Sequence, residues 1–461
     1  MKQSARITNP DKDPRFNHLV SVARTQMRRL NIPGIQIGVV FKNKEYYAGL
    51  GVTSIENPLP ITEETLFEIA SVSKTFLVTA IMRLVDAGKI NLDAPIRKYL
   101  PELKLKDRAA SEQVTMRHLL THTGGWLGDY FKDFGSGDDA LEKMVDCMRH
   151  LPQVSPLGKI WSYNNSGFYL AGRVIEKVTG KTFENALTEL VFDPLGMKKT
   201  FFSTREIMTH RFAVGHRIVK GENKVARPYG MDRASTPAGG IVSNAKDLMA
   251  FARFHMGEGS ISGKKLISER GMLLMHSPKI GATVDKQMAF AWFVLKAGEY
   301  SGIWHGGSLN GQKAELLVVP DNKFALSVCA NSDYGGEACA QISKVALMEY
   351  CEHSPAQPKQ LKLANGSVQE YLGKYELPVF TCQFRADKKG LLLEMKDLGG
   401  FPPPPKPPTG QMPPARVVFY EKDRFMGIES PYKALKGEFL RSPEGKIEWL
   451  KILYRAHKRV K

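Results

Sequence analysis

Residues 66–88 read LFEIASVSKTFLVTAIMRLVDAG. From Val72 onward Phe76, Leu77, Ala80, Ile81, Leu84 and Val85 are apolar, as are several residues between them. That pattern predicts a helix buried on nearly every face, at the centre of a domain. Gly88 supplies the stop. Ser71 is expected at or near the helix cap, where small hydroxyl residues are favoured. Lys74 follows three residues later, so one helical turn returns its amine over the serine hydroxyl. A serine is a poor nucleophile at neutral pH until a neighbour takes its proton. A lysine can do so when burial and nearby cations lower its pKa. The bland alternative is a capping serine beside a solvated lysine.

Working outward, residues 16–30 place Leu19, Val22, Ala23, Met27 and Leu30 on one helical face. Pro33-Gly34 breaks that helix. Residues 35–41 and 46–51 predict two strands joined at Lys42-Asn43-Lys44. Thr115 is expected to cap a short helix that runs into Thr121-His122-Thr123-Gly124-Gly125. His118 and His122 are four apart, but no Glu lies between them in the zinc-protease manner, and the glycines end the helix at once. Residues 126–137 predict a loop near a pocket. Helices are expected over 139–150, up to Lys177, over 183–190, and from a cap at Ser243 or Asn244 to about Met256. A strand is expected over 290–295. Residues 314–319 and 324–330 predict two strongly apolar strands, and 337–351 a helix. Strands therefore open and close the region while helices fill its middle. That is an α+β arrangement in which early and late strands share one antiparallel sheet.

Beyond this, residues 353–364 are polar and read as a linker. Residues 365–461 contain short alternating segments, expected to form a small all-β, lipocalin-like barrel. The domains are thus expected at 1–352 and 365–461. The proline-rich stretch 402–408 cannot be a central strand and reads as a stiff loop rather than a polyproline ligand.

The chain has 461 residues and a formal charge of +18. Its positive residues are scattered, with small knots such as Lys104-Leu105-Lys106 and the tail from Arg455 to Lys461. No nucleic-acid motif accompanies them, so a solvated basic surface is the expectation, with no nucleic-acid partner. No stretch is long and apolar enough to span a membrane. The first residues lack the apolar core of a signal peptide, which points to a cytoplasmic protein or an exported one whose leader is already removed. The cysteines at 147, 329, 339, 351 and 382 are widely spaced and read as free thiols, with no metal-ligand spacing.

Two further motifs change the weight of Ser71-Val72-Ser73-Lys74. Tyr163-Asn164-Asn165 lies at a turn before a helix, and His305-Gly306-Gly307 lies beside a strand. Ser-x-x-Lys, Tyr-x-Asn and a Lys/His-x-Gly triplet in this order resemble the serine β-lactamase and penicillin-binding-protein superfamily. Within it the chain is most similar to the class C-type branch. That branch holds class C β-lactamases, D-alanyl-D-alanine carboxypeptidases, D-aminopeptidases and family VIII esterases. The resemblance covers roughly residues 15–350. It extends to Arg117-His118-Leu119-Leu120-Thr121-His122-Thr123-Gly124-Gly125, Asp193-Pro194-Leu195-Gly196-Met197 and Ala238-Gly239-Gly240-Ile241-Val242-Ser243. Residues 365–461 are similar in outline to a barrel appended to some peptidases of the group.

The resemblance implies a β-lactamase/transpeptidase-like fold with a helical subdomain, and Ser71 as acyl carrier. It implies Lys74 and Tyr163 as the proton relay, and Asn165 holding Lys74 and contacting the acyl side of the substrate. It also implies backbone N–H groups of Ser71 and Ser308 as the oxyanion donors, and no metal or organic cofactor. Gly306 and Gly307 are expected to let substrate lie against the strand edge. One departure is the histidine at 305, where many penicillin-recognising members carry lysine. A neutral imidazole is a weaker anion partner, and this lowers the case for an efficient β-lactamase. A serine hydrolase of small-molecule or short-peptide substrates is expected, with a peptidase or amidase ahead of a carboxylesterase and then a β-lactamase. The alternative from another class is an assembly or regulatory scaffold. A homo-oligomer is left open.

Overall fold

The structure, a computed structural model, describes residues 5–9, 12–202, 204–257, 259–261, 263–354, 361, 368–402 and 412–460. Most of the expected linker and of the proline-rich stretch lies outside these residues.

A nine-stranded antiparallel sheet forms the body. Its strands are β1 (Ala5–Thr8), β2 (Gly34–Phe41), β3 (Lys44–Gly51), β4 (Ile280–Thr283), β5 (Lys286–Met288), β6 (Phe293–Ala297), β7 (Tyr300–Leu309), β8 (Gln312–Val319) and β9 (Phe324–Ala330). They are ordered β1-β3-β2-β9-β8-β7-β6-β5-β4. The early hairpin and the late strands meet where β2 pairs with β9, from Ile35 opposite Ala330 to Phe41 opposite Phe324. The β2–β3 hairpin turns at Lys42 and Asn43, both at positive φ, as a tight two-residue turn requires.

Alternation along the central strands explains the two cores. Ile35, Ile37 and Val39 of β2 face a layer made by α1 (Pro14–Leu30) and α5 (Gly335–Cys351), while Val40 faces the other way. The second face packs on α4 (Ala245–Met256), and α2 (Ser73–Asp86), with Phe76 stacked on Phe251, and α3 (Asn165–Thr179) extend that core into the helical region. Asn244 caps α4 through its side chain. The strand expected over 290–295 begins only at Phe293. Ala291 takes a positive φ, and its N–H bonds the Leu120 carbonyl rather than a strand.

Eight further strands close a barrel. They are β10 (Gly373–Leu377), β11 (Phe380–Asp387), β12 (Gly390–Asp397), β13 (Ala415–Glu421), β14 (Arg424–Gly427), β15 (Lys436–Arg441), β16 (Ile447–Ile452) and β17 (Arg455–Val460). Aromatic rings fill its interior, among them Tyr375, Phe384, Phe425 and Phe439. The last strand corrects the sequence reading. Residues 455–460 are not a solvated basic tail. They pair with β16 and β10 and complete the closure.

Among the described residues no helix is long and apolar enough to cross a membrane. The five cysteines are free, four of them buried.

Candidate active site

Ser71 is not the helix cap. It lies in a 3₁₀ turn (Ala70–Val72) that leads into α2, and the N-cap position falls to Val72, without a side-chain bond. Ala70 has φ of 47°, a left-handed conformation that costs a non-glycine residue about 1–2 kcal/mol. The packing that holds it there comes from β7. A Cβ on Gly307 would lie 2.1 Å from the Ile69 carbonyl oxygen and 3.1 Å from the Ala70 Cβ. This revises the expected use of that glycine. The missing side chain at 307 makes room for the turn that carries Ser71, and the space is occupied by protein rather than left for a substrate. Gly306 is less tightly held, with the Trp304 ring 3.0 Å from its hypothetical Cβ.

Lys74 is fully buried. Its Nζ donates to Ser71 Oγ at 3.1 Å and to the Ala238 carbonyl at 2.5 Å. Burial, reinforced by the Arg455 charge and opposed by Asp129, depresses the amine far below the ordinary lysine range. Asn165, expected to hold Lys74, instead donates its amide to Asp129 Oδ1 at 3.0 Å. The Ala238 carbonyl takes the place anticipated for it.

Tyr163 brings its ring within 5.0 Å of Lys74 Nζ. Burial drives the phenol pKa up, more than the neighbouring Ser71 hydroxyl pulls it down. The phenol oxygen is buried without a hydrogen-bond partner. The ring is held by His122, stacked at 4.3 Å between centroids. His122 sits at positive φ, and its Nδ1 accepts the Asn164 N–H at 2.9 Å. His118 is occupied separately, closing a capping box with Thr115. The two histidines four apart thus do different structural work.

His305 is buried, and its Nδ1–H donates to the Gly306 carbonyl at 2.7 Å. Burial and the nearby Lys74 hold its pKa down to about 3, so the ring is neutral. Its Nε2 faces the interior without a partner. Beyond Trp304, β7 loses its neighbour β6, so His305 to Leu309 pair with β8 alone. Ser308 is exposed there and accepts from Lys313 Nζ at 2.5 Å.

The sequence reading missed three participants. Asp129 comes from the loop expected near the pocket, and Tyr454 and Arg455 come from the barrel. Arg455 Nε donates to Asp129 Oδ2 at 2.7 Å, and its second terminal nitrogen to Oδ1 at 2.6 Å. Its guanidinium lies 4.8 Å from the Tyr163 ring centroid. Burial alone would raise the Asp129 pKa, but the Arg455 charge and bonds, with the Asn165 amide, bring it below the usual value. The turn before Arg455 is formed by Leu453 and Tyr454, both at positive φ where glycine or asparagine is usual. That strained hairpin is stitched to the main domain. The Tyr163 N–H donates to the Tyr454 carbonyl at 2.9 Å, and the Ala456 N–H to Ser162 Oγ at 3.1 Å.

Together these groups enclose a cavity of about 540 Å³ that reaches Ser71, Tyr163, Asn165, His305 and Arg455. Its walls are largely aromatic, from Phe131, Phe293, Trp304 and Tyr454, and Phe131 is 56% exposed at the rim. Among the described residues no cluster of three or more metal-ligating side chains occurs.

The family model "Beta-lactamase" matches residues 19–347. The chain belongs to the beta-lactamase family. It is thus related to serine hydrolases that act on amide or ester bonds. Among curated beta-lactamase relatives it is similar to penicillin-binding protein 4 of Amycolatopsis lactamdurans, 27% identical over 72% of this chain and 92% of the relative. It is also similar to a beta-lactamase of Yersinia enterocolitica, 28% identical over 67% and 84%. In solved structures the fold recurs with its barrel. SurE aligns over 97% of this chain and all of that one, with a TM-score of 0.77 and 23% identity. The octameric penicillin-binding protein homologue from Pyrococcus abyssi aligns over 96% and 99%, with a TM-score of 0.63 and 20% identity. A class C beta-lactamase from Rhodobacter sphaeroides covers 73% of this chain, with a TM-score of 0.62.

Proposed function

We propose that this protein is a serine hydrolase that cleaves amide or ester bonds through an acyl-enzyme on Ser71. The observation that carries the reading is Lys74 Nζ, fully buried and 3.1 Å from Ser71 Oγ. An amine so depressed can take the Ser71 proton as Oγ attacks the substrate carbonyl. Tyr163 and Lys74 act as one proton-sharing unit, the Lys74 amine lying 5.0 Å from the Tyr163 ring centroid. The tetrahedral oxyanion is held by the backbone N–H groups of Ser71 and Ser308, a donor of this type being worth roughly 2.7–4 kcal/mol of barrier. The relay then returns the proton to the leaving amine or alcohol, and water releases the acyl group by the same steps in reverse.

A peptidase or amidase is favoured over a carboxylesterase. The barrel hairpin narrows the cleft to an aromatic-walled cavity, which suits a short apolar peptide. SurE, which shares the fold, has been solved with D-Leu, so D-aminoacyl amides are the first substrates to try. Neutral His305 weighs against efficient β-lactam turnover. The experiment is intact-protein mass after exposure to a fluorophosphonate, with Ser71→Ala alongside. One adduct on the parent and none on the variant supports the reading. No adduct on folded parent would move the scaffold alternative forward. Short-chain esters, D-aminoacyl amides and a chromogenic cephalosporin then separate the substrate classes.

A further inference from the structure

The Ser71–Lys74–Tyr163 chemistry does not by itself account for the ion pair beside it. Arg455 and Asp129 form a two-point bridge whose side chains are only 18% and 24% exposed. Arg455 reaches this place from the barrel, on a turn of two residues in the left-handed conformation. A strained turn that delivers a buried charge to a cavity is a feature to be explained by what the charge does.

We propose that Arg455, clamped by Asp129, is a positioning residue that keeps the Lys74–Tyr163 relay ready to accept the Ser71 proton, making the barrel part of the acyl-transfer machinery. This rests on the reading of Ser71 as nucleophile. Lys74 and the Arg455 guanidinium lie 5.0 and 4.8 Å from the centroid of one ring, that of Tyr163. The two charges are therefore within about 10 Å of each other, where a unit charge shifts a pKa by about one unit at an effective dielectric near 20. The charges that act on Lys74 are Arg455, which disfavours its ammonium form, and Asp129, which favours it. His122 and His305 also face this group, but burial holds both neutral. Lys313 and Glu315 line the same cavity, Lys313 with its amine on the Ser308 hydroxyl. Without Arg455 the Asp129 charge would act on Lys74 uncompensated. With Arg455 on both carboxylate oxygens, that charge is balanced by a guanidinium. The same two charges act on the Tyr163 phenol with the same signs, so the expectation holds whichever group of the relay loses its proton.

The test is the rate of Ser71 labelling by an uncharged fluorophosphonate, followed by intact mass from pH 5.5 to 10. Parent, Arg455→Gln, Arg455→Lys and Asp129→Asn are compared. The midpoint of the rise with pH should move up by about one unit in Arg455→Gln. It should move down in Asp129→Asn and stay near the parent's in Arg455→Lys. A merely structural role would lower labelling at every pH without moving the midpoint, and that result overturns the proposal. So do shifts in the same direction in the Gln and Asn variants. If Arg455→Gln does not fold, Asp129→Asn decides, and an unmoved or raised midpoint overturns the proposal. Absence of any Ser71 adduct on the parent defeats the hydrolase reading itself, whereas normal parent labelling with unmoved midpoints defeats only the role of Arg455.

Discussion

Gly307→Ala is the sharpest perturbation the site offers. The added methyl carbon would lie 2.1 Å from the Ile69 carbonyl oxygen, 3.0 Å from its carbon and 3.1 Å from Ala70 Cβ. The first contact is with backbone, so no side-chain rotation relieves it. Reaching a tolerable separation requires the turn and β7 to part by about 1 Å, and a misplacement of that size costs about 100-fold in rate. Overpacking of this kind also costs about 1–3 kcal/mol of stability. The expected result is a folded protein, modestly less stable to urea, whose Ser71 labels about 100-fold more slowly with the fluorophosphonate. Gly306→Ala is the control. Its methyl meets the Trp304 ring at 3.0 Å and the Ala314 carbonyl oxygen at an ordinary 3.8 Å, so labelling should stay within severalfold of the parent. If Gly307→Ala labels at the parent rate with unchanged stability, the turn is not held by that approach, and the account of how Ser71 is positioned is wrong.

Lys74→Met should lower labelling by about 10²–10⁴-fold, yet leave urea stability equal or higher, because a fully buried amine no longer has to be kept out of water. Stability should fall as the pH drops from 6.5 toward 4, because His305 and His457, held down to about 3 and about 4, stay unprotonated when folded but take protons when unfolded. Each ring contributes about 1.4 kcal/mol per pH unit in that window. Glu68, pushed up to about 7 by burial, works in the opposite sense over the same range. Glu68→Gln should therefore steepen the slope in urea melts, and a flat profile in both proteins would contradict these assignments. Gly427→Ala puts a methyl 1.9 Å from the Tyr432 carbonyl. It should loosen the barrel to proteolysis and slow Ser71 labelling together, and retention of full labelling by a protease-nicked barrel would refute the link.

The local parts of the site were legible in the sequence. Ser71 and Lys74 are one turn apart, and a turn is a property of four residues. The expected sharing of one sheet by early and late strands followed from apolar runs at 35–41 and 324–330, and β2 does pair with β9. What could not be read was assembly at long range. Asp129 and Arg455 are 326 residues apart, and nothing near either one signals the other. Residues 455–460 read as a solvated tail because Arg, Lys and His dominate them, yet Ala456 and His457 are both buried. Ser71 is expected at or near the cap because hydroxyl residues favour that position; it falls one residue before the cap, where the 3₁₀ turn and the close approach of Gly307 decide its place. Asn165 bonds Asp129 rather than the expected Lys74. The carboxylate that claims its amide sits on a loop whose course has no periodic signature.

The strained Leu453–Tyr454 turn bears on the order in which the molecule comes into being. A ribosome emits the whole region from Ser71 to α5 well before residues 453–455. During that interval the helices and central sheet can form, yet the wall supplied by Tyr454 and the guanidinium over Tyr163 are not there. The nascent protein therefore carries an unfinished cleft, and the barrel hairpin completes it only after translation has passed residue 455.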